Sequence, residues 1–177
     1  LKYNKVSSVV TLMPLDEGAG VAYYQITDDK RIDKSLSFYP LMPVNAGKLL
    51  SKMTLKGAAT KPVAVVIRPC EVRALVELTK RGQGSLDNLL IISSTCGGVY
   101  PLKLTATMNK DNGLKEYQEA LRTGESPANI RPNCQACVEF VPSTADVTIS
   151  MFGNSKITEQ CDIYVNSDKA EGMLVNF

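Results

Sequence analysis

The sequence predicts an α/β fold: a mixed sheet with a central parallel β-α-β unit, flanking helices, and antiparallel strands toward the C-terminus. Three observations carry this. Val63–Ile67 (VAVVI) and Leu89–Ser93 (LLIIS) are unbroken apolar runs, the pattern of strands buried on both faces. Between them, Glu71–Arg81 (EVRALVELTKR) sets Val72, Leu75, Val76 and Leu78 on or near one side of a helix, which Gly82-Gln83-Gly84-Ser85 ends. A strand, a helix and a strand in this order make parallel neighbours joined by a right-handed crossover.

The other elements follow in order. Val6–Met13 (VSSVVTLM) and Val21–Thr27 (VAYYQIT) are rich in strand formers, and the turn cluster Asp16–Gly20 between them makes a hairpin. Asp28–Pro43 is irregular. Val44–Lys56 spaces Leu49, Leu50 and Met53 as a short helix does. Asp111–Arg122 (DNGLKEYQEALR) is a polar amphipathic helix. Thr123–Asn133 reads as a loop that delivers Cys134-Gln135-Ala136-Cys137. Asp146–Phe152, Asp162–Val165 and Met173–Phe177 read as three closing strands. No repeat and no linker divides the chain, so residues 1–177 read as one domain.

Composition narrows the function. The 177 residues are 44% apolar and 21% charged, enough to bury a core. Twenty basic residues against eighteen acidic ones leave a net charge of +2, which excludes a nucleic-acid binder that works by bulk charge. There is no histidine, so His bases, His-assisted nucleophiles and His-ligated metals are excluded. No apolar run approaches the ~18–20 residues of a membrane span. The chain opens on Leu1 inside a strand-like pattern, as a fragment or excised domain does, with no signal-peptide pattern. Five cysteines, an odd number, argue against a closed disulfide framework, and the reducing cytoplasm is the expected compartment.

The cysteines carry most of the chemistry. Cys70 follows the first buried strand and Cys96 the second, so parallel strands set both thiols at one carboxyl edge, where open α/β sheets bind ligands. Cys70 also lies at a helix N-terminus, where the dipole favours thiolate. Cys134 and Cys137 form a C-x-x-C that can grip one metal centre. Four thiolates without imidazole suit an iron–sulfur cluster or a structural zinc. Zinc ribbons usually pair two C-x-x-C knuckles, and this chain has one. Each cysteine can equally be a small buried hydrophobe. Cys161 reads as a core or surface thiol and is the reserve ligand. Arg68 sits on the cluster side, where it can neutralise an anionic cluster or a flavin phosphate. Glu71 and Arg73 crowd the same turn, Arg73 as ordinary surface charge. Gly97-Gly98 permits close backbone approach to a cofactor, but no dinucleotide fingerprint or P-loop is present.

The motifs Val63–Leu75 (VAVVIRPCEVRAL), Leu89–Tyr100 (LLIISSTCGGVY) and Pro132–Gly153 (PNCQACVEFVPSTADVTISMFG) resemble the coenzyme F-420 hydrogenase/dehydrogenase beta-subunit family, which includes formate dehydrogenase beta subunits. The resemblance covers residues 62–177, the family-like core. It implies an electron-transfer subunit of an oxidoreductase that binds a 4Fe–4S cluster and FAD. Such a subunit relays electrons between a partner of hydrogenase, formate dehydrogenase or heterodisulfide reductase type and F-420, NAD(P) or another acceptor. It also implies Cys70, Cys96, Cys134 and Cys137 as cluster ligands. By location, Thr95, Gly97 and Gly98 are the expected flavin contacts, and Asp146 either orients the flavin or caps a strand. The competing expectations are a zinc-holding protein-interaction module and a metal-free α/β scaffold.

Overall fold

The computed structural model describes residues 1–15, 20–104, 110–153 and 160–174. β1 (Ser8–Pro14) and β2 (Val21–Ile26) form the antiparallel hairpin read from the sequence, from Val9 opposite Ile26 to Pro14 opposite Val21. Positions 16–19 of its turn lie outside the described residues. The irregular stretch that follows contains a 3₁₀ helix, Asp29–Lys34, whose start is fixed by the Asp28 carboxylate accepting the Lys30 N–H at 3.0 Å. Helix α1 (Ala46–Met53) starts two residues later than its apolar spacing suggests. Asn45 is its cap, its side-chain oxygen accepting the Lys48 N–H at 3.2 Å.

The central unit is as predicted. β3 (Val63–Val66) leads into α2 (Pro69–Lys80), and β4 (Leu89–Ser94) returns parallel to β3, with Val63 opposite Leu89 and Val66 opposite Ile92. α2 begins at Pro69 rather than Glu71. A proline at the first helical position gives up an N–H that would have no partner there. Glu71 then reaches back to accept the Arg68 N–H at 2.9 Å. Next come α3 (Lys110–Thr123) and a single turn, α4 (Pro132–Gln135), which places Cys134 in a helical turn instead of a loop.

β5 (Val147–Ile149) and β6 (Ile163–Val165) complete a six-stranded sheet in the order β2-β1-β3-β4-β5-β6. β1 is parallel to β3, and β5 to β4, so the four central strands all run one way. The two antiparallel strands, β2 and β6, are the edges. Parallel strands need cover on both faces, and the core divides accordingly. Val10, Val65, Ile67, Leu89 and Ile91 pack on Ala46 and Leu50 of α1 and Val72 and Leu75 of α2. Ala64, Leu90 and Val147, from the alternate positions, face the other way.

The C-terminal end departs from the sequence reading. In place of a third closing strand over Met173–Phe177 stands α5 (Asp168–Leu174), with 175–177 outside the described residues. The Ser167 hydroxyl accepts the Ala170 N–H at 3.2 Å, and Asp168 and Glu171 occupy the first turn, where the helix dipole favours negative charge. Ala170 is fully buried against Leu90 and Val147. A short apolar run does not reveal its period, and the cap upstream decides it. Among the described residues, no helix is long and apolar enough to cross a membrane.

Candidate functional site

Because β3 and β4 are parallel neighbours, the chain leaves both at one edge of the sheet. Arg68-Pro69-Cys70 leads from β3 into α2, and Thr95-Cys96-Gly97-Gly98 leaves β4. A third segment, Ile130–Phe140, is tied to both exits by hydrogen bonds. The Cys96 N–H donates to the Phe140 carbonyl at 3.0 Å, and the Arg131 N–H to the Val99 carbonyl at 2.9 Å. Arg73 of α2 donates from Nη1 to the Glu139 carbonyl at 2.8 Å. Arg131 donates from Nη2 to the Met42 carbonyl at 3.0 Å.

The result is one cavity of about 500 Å³, with Cys70, Cys96, Cys134 and Cys137 in its wall beside Arg73 and Arg131. The four cysteines named from the sequence therefore face a shared space, although they come from three segments. Among the described residues, no three Cys, Asp or Glu side chains are grouped closely enough to hold a metal ion. Cys161 is exposed, lies two residues before β6, and does not line the cavity.

The electrostatics differ from the helix-dipole expectation. Although Cys70 is exposed through the cavity it lines, desolvation pushes its thiol from the ordinary 9.0 up to about 11, with Glu71 and Cys96 adding to the rise and Arg68 opposing it. Cys96 is also raised by burial. Arg68 and a hydrogen bond from the Gly98 N–H to its Sγ, 3.4 Å long, oppose that rise, while Cys134 and Cys137 add to it.

The glycine pair lines the cavity and also admits protein. A Cβ on Gly97 would stand 2.4 Å from Leu121 Cδ2. Gly98 has φ +94°, and a Cβ there would meet Ile130 Cδ1 at 2.8 Å and the Cys134 Cβ at 3.0 Å. The Tyr117 hydroxyl donates to the Gly98 carbonyl at 3.0 Å and holds this turn from behind.

Four other residues named from the sequence stand outside the cavity wall. The Thr95 hydroxyl accepts the Met151 N–H at 2.8 Å, which joins the exits of β4 and β5. Asp146 accepts the Ile91 N–H and the Ser167 hydroxyl, each at 2.7 Å, and pairs with Lys169 at 2.8 Å. It fastens β4, β5 and α5 together. Arg68 and Glu71 are buried behind the thiols. Sequence reasoning missed Arg131 and read Arg73 as surface charge; Arg73 lines the cavity through an exposed bond to Glu139. A cation directly before Pro132 and the C-x-x-C was the local signal for Arg131. Nothing local marked Arg73, because its partner is a distant carbonyl.

An α/β sheet with a thiol-lined cavity at its carboxyl edge is thus the frame. The sequence model for the C terminus of the coenzyme F420 hydrogenase/dehydrogenase beta-subunit family matches residues 60–176, and the chain belongs to this family. It is 28% identical over 155 residues to the F420-dependent formate dehydrogenase subunit beta of Methanocaldococcus jannaschii, across 74% of this chain and 40% of the relative. It is 30% identical over 138 residues to the F420-dependent formate dehydrogenase 1 subunit beta of Methanococcus maripaludis, across 61% of this chain and 36% of the relative. The chain thus spans about two fifths of the length of these relatives.

Proposed function

We propose that this chain carries the iron–sulfur centre of one subunit of an electron-transferring oxidoreductase. Cys70, Cys96, Cys134 and Cys137 hold a 4Fe–4S cluster that relays electrons between F-420, NAD(P) or another acceptor and a partner of formate dehydrogenase, hydrogenase or heterodisulfide reductase type. The carrying observation is that these four thiols, from three segments, line one cavity at the carboxyl edge of the sheet. The donor set supports a cluster: four sulfurs, no imidazole, and one sulfur that already accepts a backbone N–H. A single zinc needs all its sulfurs ~2.3 Å from one ion, whereas a cluster bridges ligands set further apart. Among the described residues no three such side chains are grouped closely enough to hold a metal ion, which suits the second reading, a metal-free protein-interaction module.

A bound cluster supplies one-electron chemistry. The protein's own contribution is to position the four sulfurs, donate a hydrogen bond to Cys96, and set guanidiniums around an anionic group. The names of the relatives favour F-420 as the acceptor. FAD is the second cofactor the resemblance implies: Gly97 and Gly98 line the cavity and could face it there, while the Thr95 hydroxyl is engaged by the Met151 N–H. Free thiols and cluster chemistry fit the reducing cytoplasm.

The test is anaerobic reconstitution followed by iron, sulfide, zinc and flavin analysis. About four irons per chain, lost in Cys134→Ser and kept in Cys161→Ser, support the cluster. A colourless protein with one zinc, or with no metal, overturns it, and the latter leaves the interaction module.

A further inference from the structure

Behind the thiols lies a buried ion pair that touches nothing in the cavity. Arg68 is 3% exposed and Glu71 0%, and neither lines the cavity. Yet Arg68 stands two residues before Cys70, and Glu71 directly after it. Neutral donors satisfy the Glu71 carboxylate. Oε1 accepts the Ala46 N–H at 2.8 Å and the Tyr23 hydroxyl at 3.0 Å, while Oε2 accepts the Arg68 N–H and the Tyr23 hydroxyl, each at 2.9 Å. The nearest guanidinium approach, Arg68 Nη1 to Oε2, is 4.0 Å, too long for a hydrogen bond. Arg68 Nη2 donates to the Tyr39 carbonyl instead. The two charges are therefore anchored separately, by β2, α1 and the Tyr39 loop, in a dry interior that screens them little.

We propose that Arg68 and Glu71 act on the thiol-lined site as fixed through-space charges of opposite effect, Arg68 raising and Glu71 lowering the reduction potential of a cluster held there. This rests on the cluster reading above and makes both of them positioning residues without cofactor contact. Adding an electron adds negative charge at the cavity. A buried cation stabilises the reduced form and a buried carboxylate destabilises it.

The test is a one-electron dithionite titration, followed by EPR, of the cluster-loaded full chain and of Arg68→Gln, Arg68→Lys and Glu71→Gln. The electron comes from dithionite, and no bond to either residue forms or breaks. Arg68→Gln keeps a polar side chain and drops the charge. It shifts the midpoint negative by a tenfold change in the reduced-to-oxidised ratio, 59 mV for one electron. Arg68→Lys keeps the charge and stays near wild type. Glu71→Gln shifts the midpoint positive. A structural role alone does not give opposite signs. Shifts of the same sign, or none in a loaded protein, overturn this proposal and leave the cluster reading standing. Wild-type protein that takes up no cluster overturns both. If Arg68→Gln does not fold, the sign of the Glu71→Gln shift decides.

Discussion

Gly98 and Cys134 meet where the exit of β4 touches the C-x-x-C turn: a Cβ on Gly98 would lie 3.0 Å from the Cys134 Cβ. The absence of a side chain at Gly98 therefore sets how closely Cys134 approaches Cys96, whose Sγ accepts the Gly98 N–H. One residue serves two thiols, one by what it lacks and one by what it donates.

Gly98→Ala carries two penalties, a positive φ of +94° and a clash with Ile130 Cδ1 at 2.8 Å. The expected loss is about 2 kcal/mol, read by urea denaturation, together with reduced iron uptake as Cys134 is pushed away. A variant within ~0.5 kcal/mol of wild type, the range of a neutral surface change, would show that the turn adapts.

Glu71 joins β2, α1 and the start of α2 through Tyr23, Ala46 and Arg68. Glu71→Ala leaves the Arg68 cation buried and uncompensated and is expected to cost ~3–5 kcal/mol. Tyr23→Phe removes a single donor and should cost about 1 kcal/mol. Equal losses in the two variants would contradict a carboxylate-centred hub.

Alkaline pH should act through Cys70. Folding raises its thiol to about 11, so the folded chain keeps a proton that the unfolded chain has lost. The stability this provides is complete below the ordinary value of 9.0 and disappears as pH rises through about 11. In metal-free protein, denaturation midpoints should fall across that window in wild type and less so in Cys70→Ser. Iodoacetamide labelling of Cys70 should accelerate over the same range. Fast labelling at neutral pH would show that the dipole wins after all.

Asp146→Asn separates anchoring from cofactor binding. The carboxylate holds the Ile91 N–H, Ser167 and Lys169, the last partly solvated and so worth little. A loss of ~1–3 kcal/mol, with faster hydrogen exchange in β5 and α5 and unchanged iron content, is expected. Lost flavin at unchanged stability would instead place Asp146 beside the cofactor.

The parallel β-α-β unit is legible in the residues alone, because unbroken apolar runs and a helical apolar stripe are local patterns. So is the placement of Cys70 and Cys96, because parallel strands end at one edge. The remainder depends on packing between distant segments. Cys134 and Cys137 reach that edge through the bonds of Arg131, Phe140 and Glu139 to distant parts of the chain, and no local pattern encodes those pairings. Met173 belongs to a helix because Ser167 caps it and Ala170 finds the sheet. The protonation of Cys70 escapes the residue order for the same reason. A helix dipole is visible in sequence, whereas desolvation, the first cause of the raised thiol here, depends on everything that packs around it.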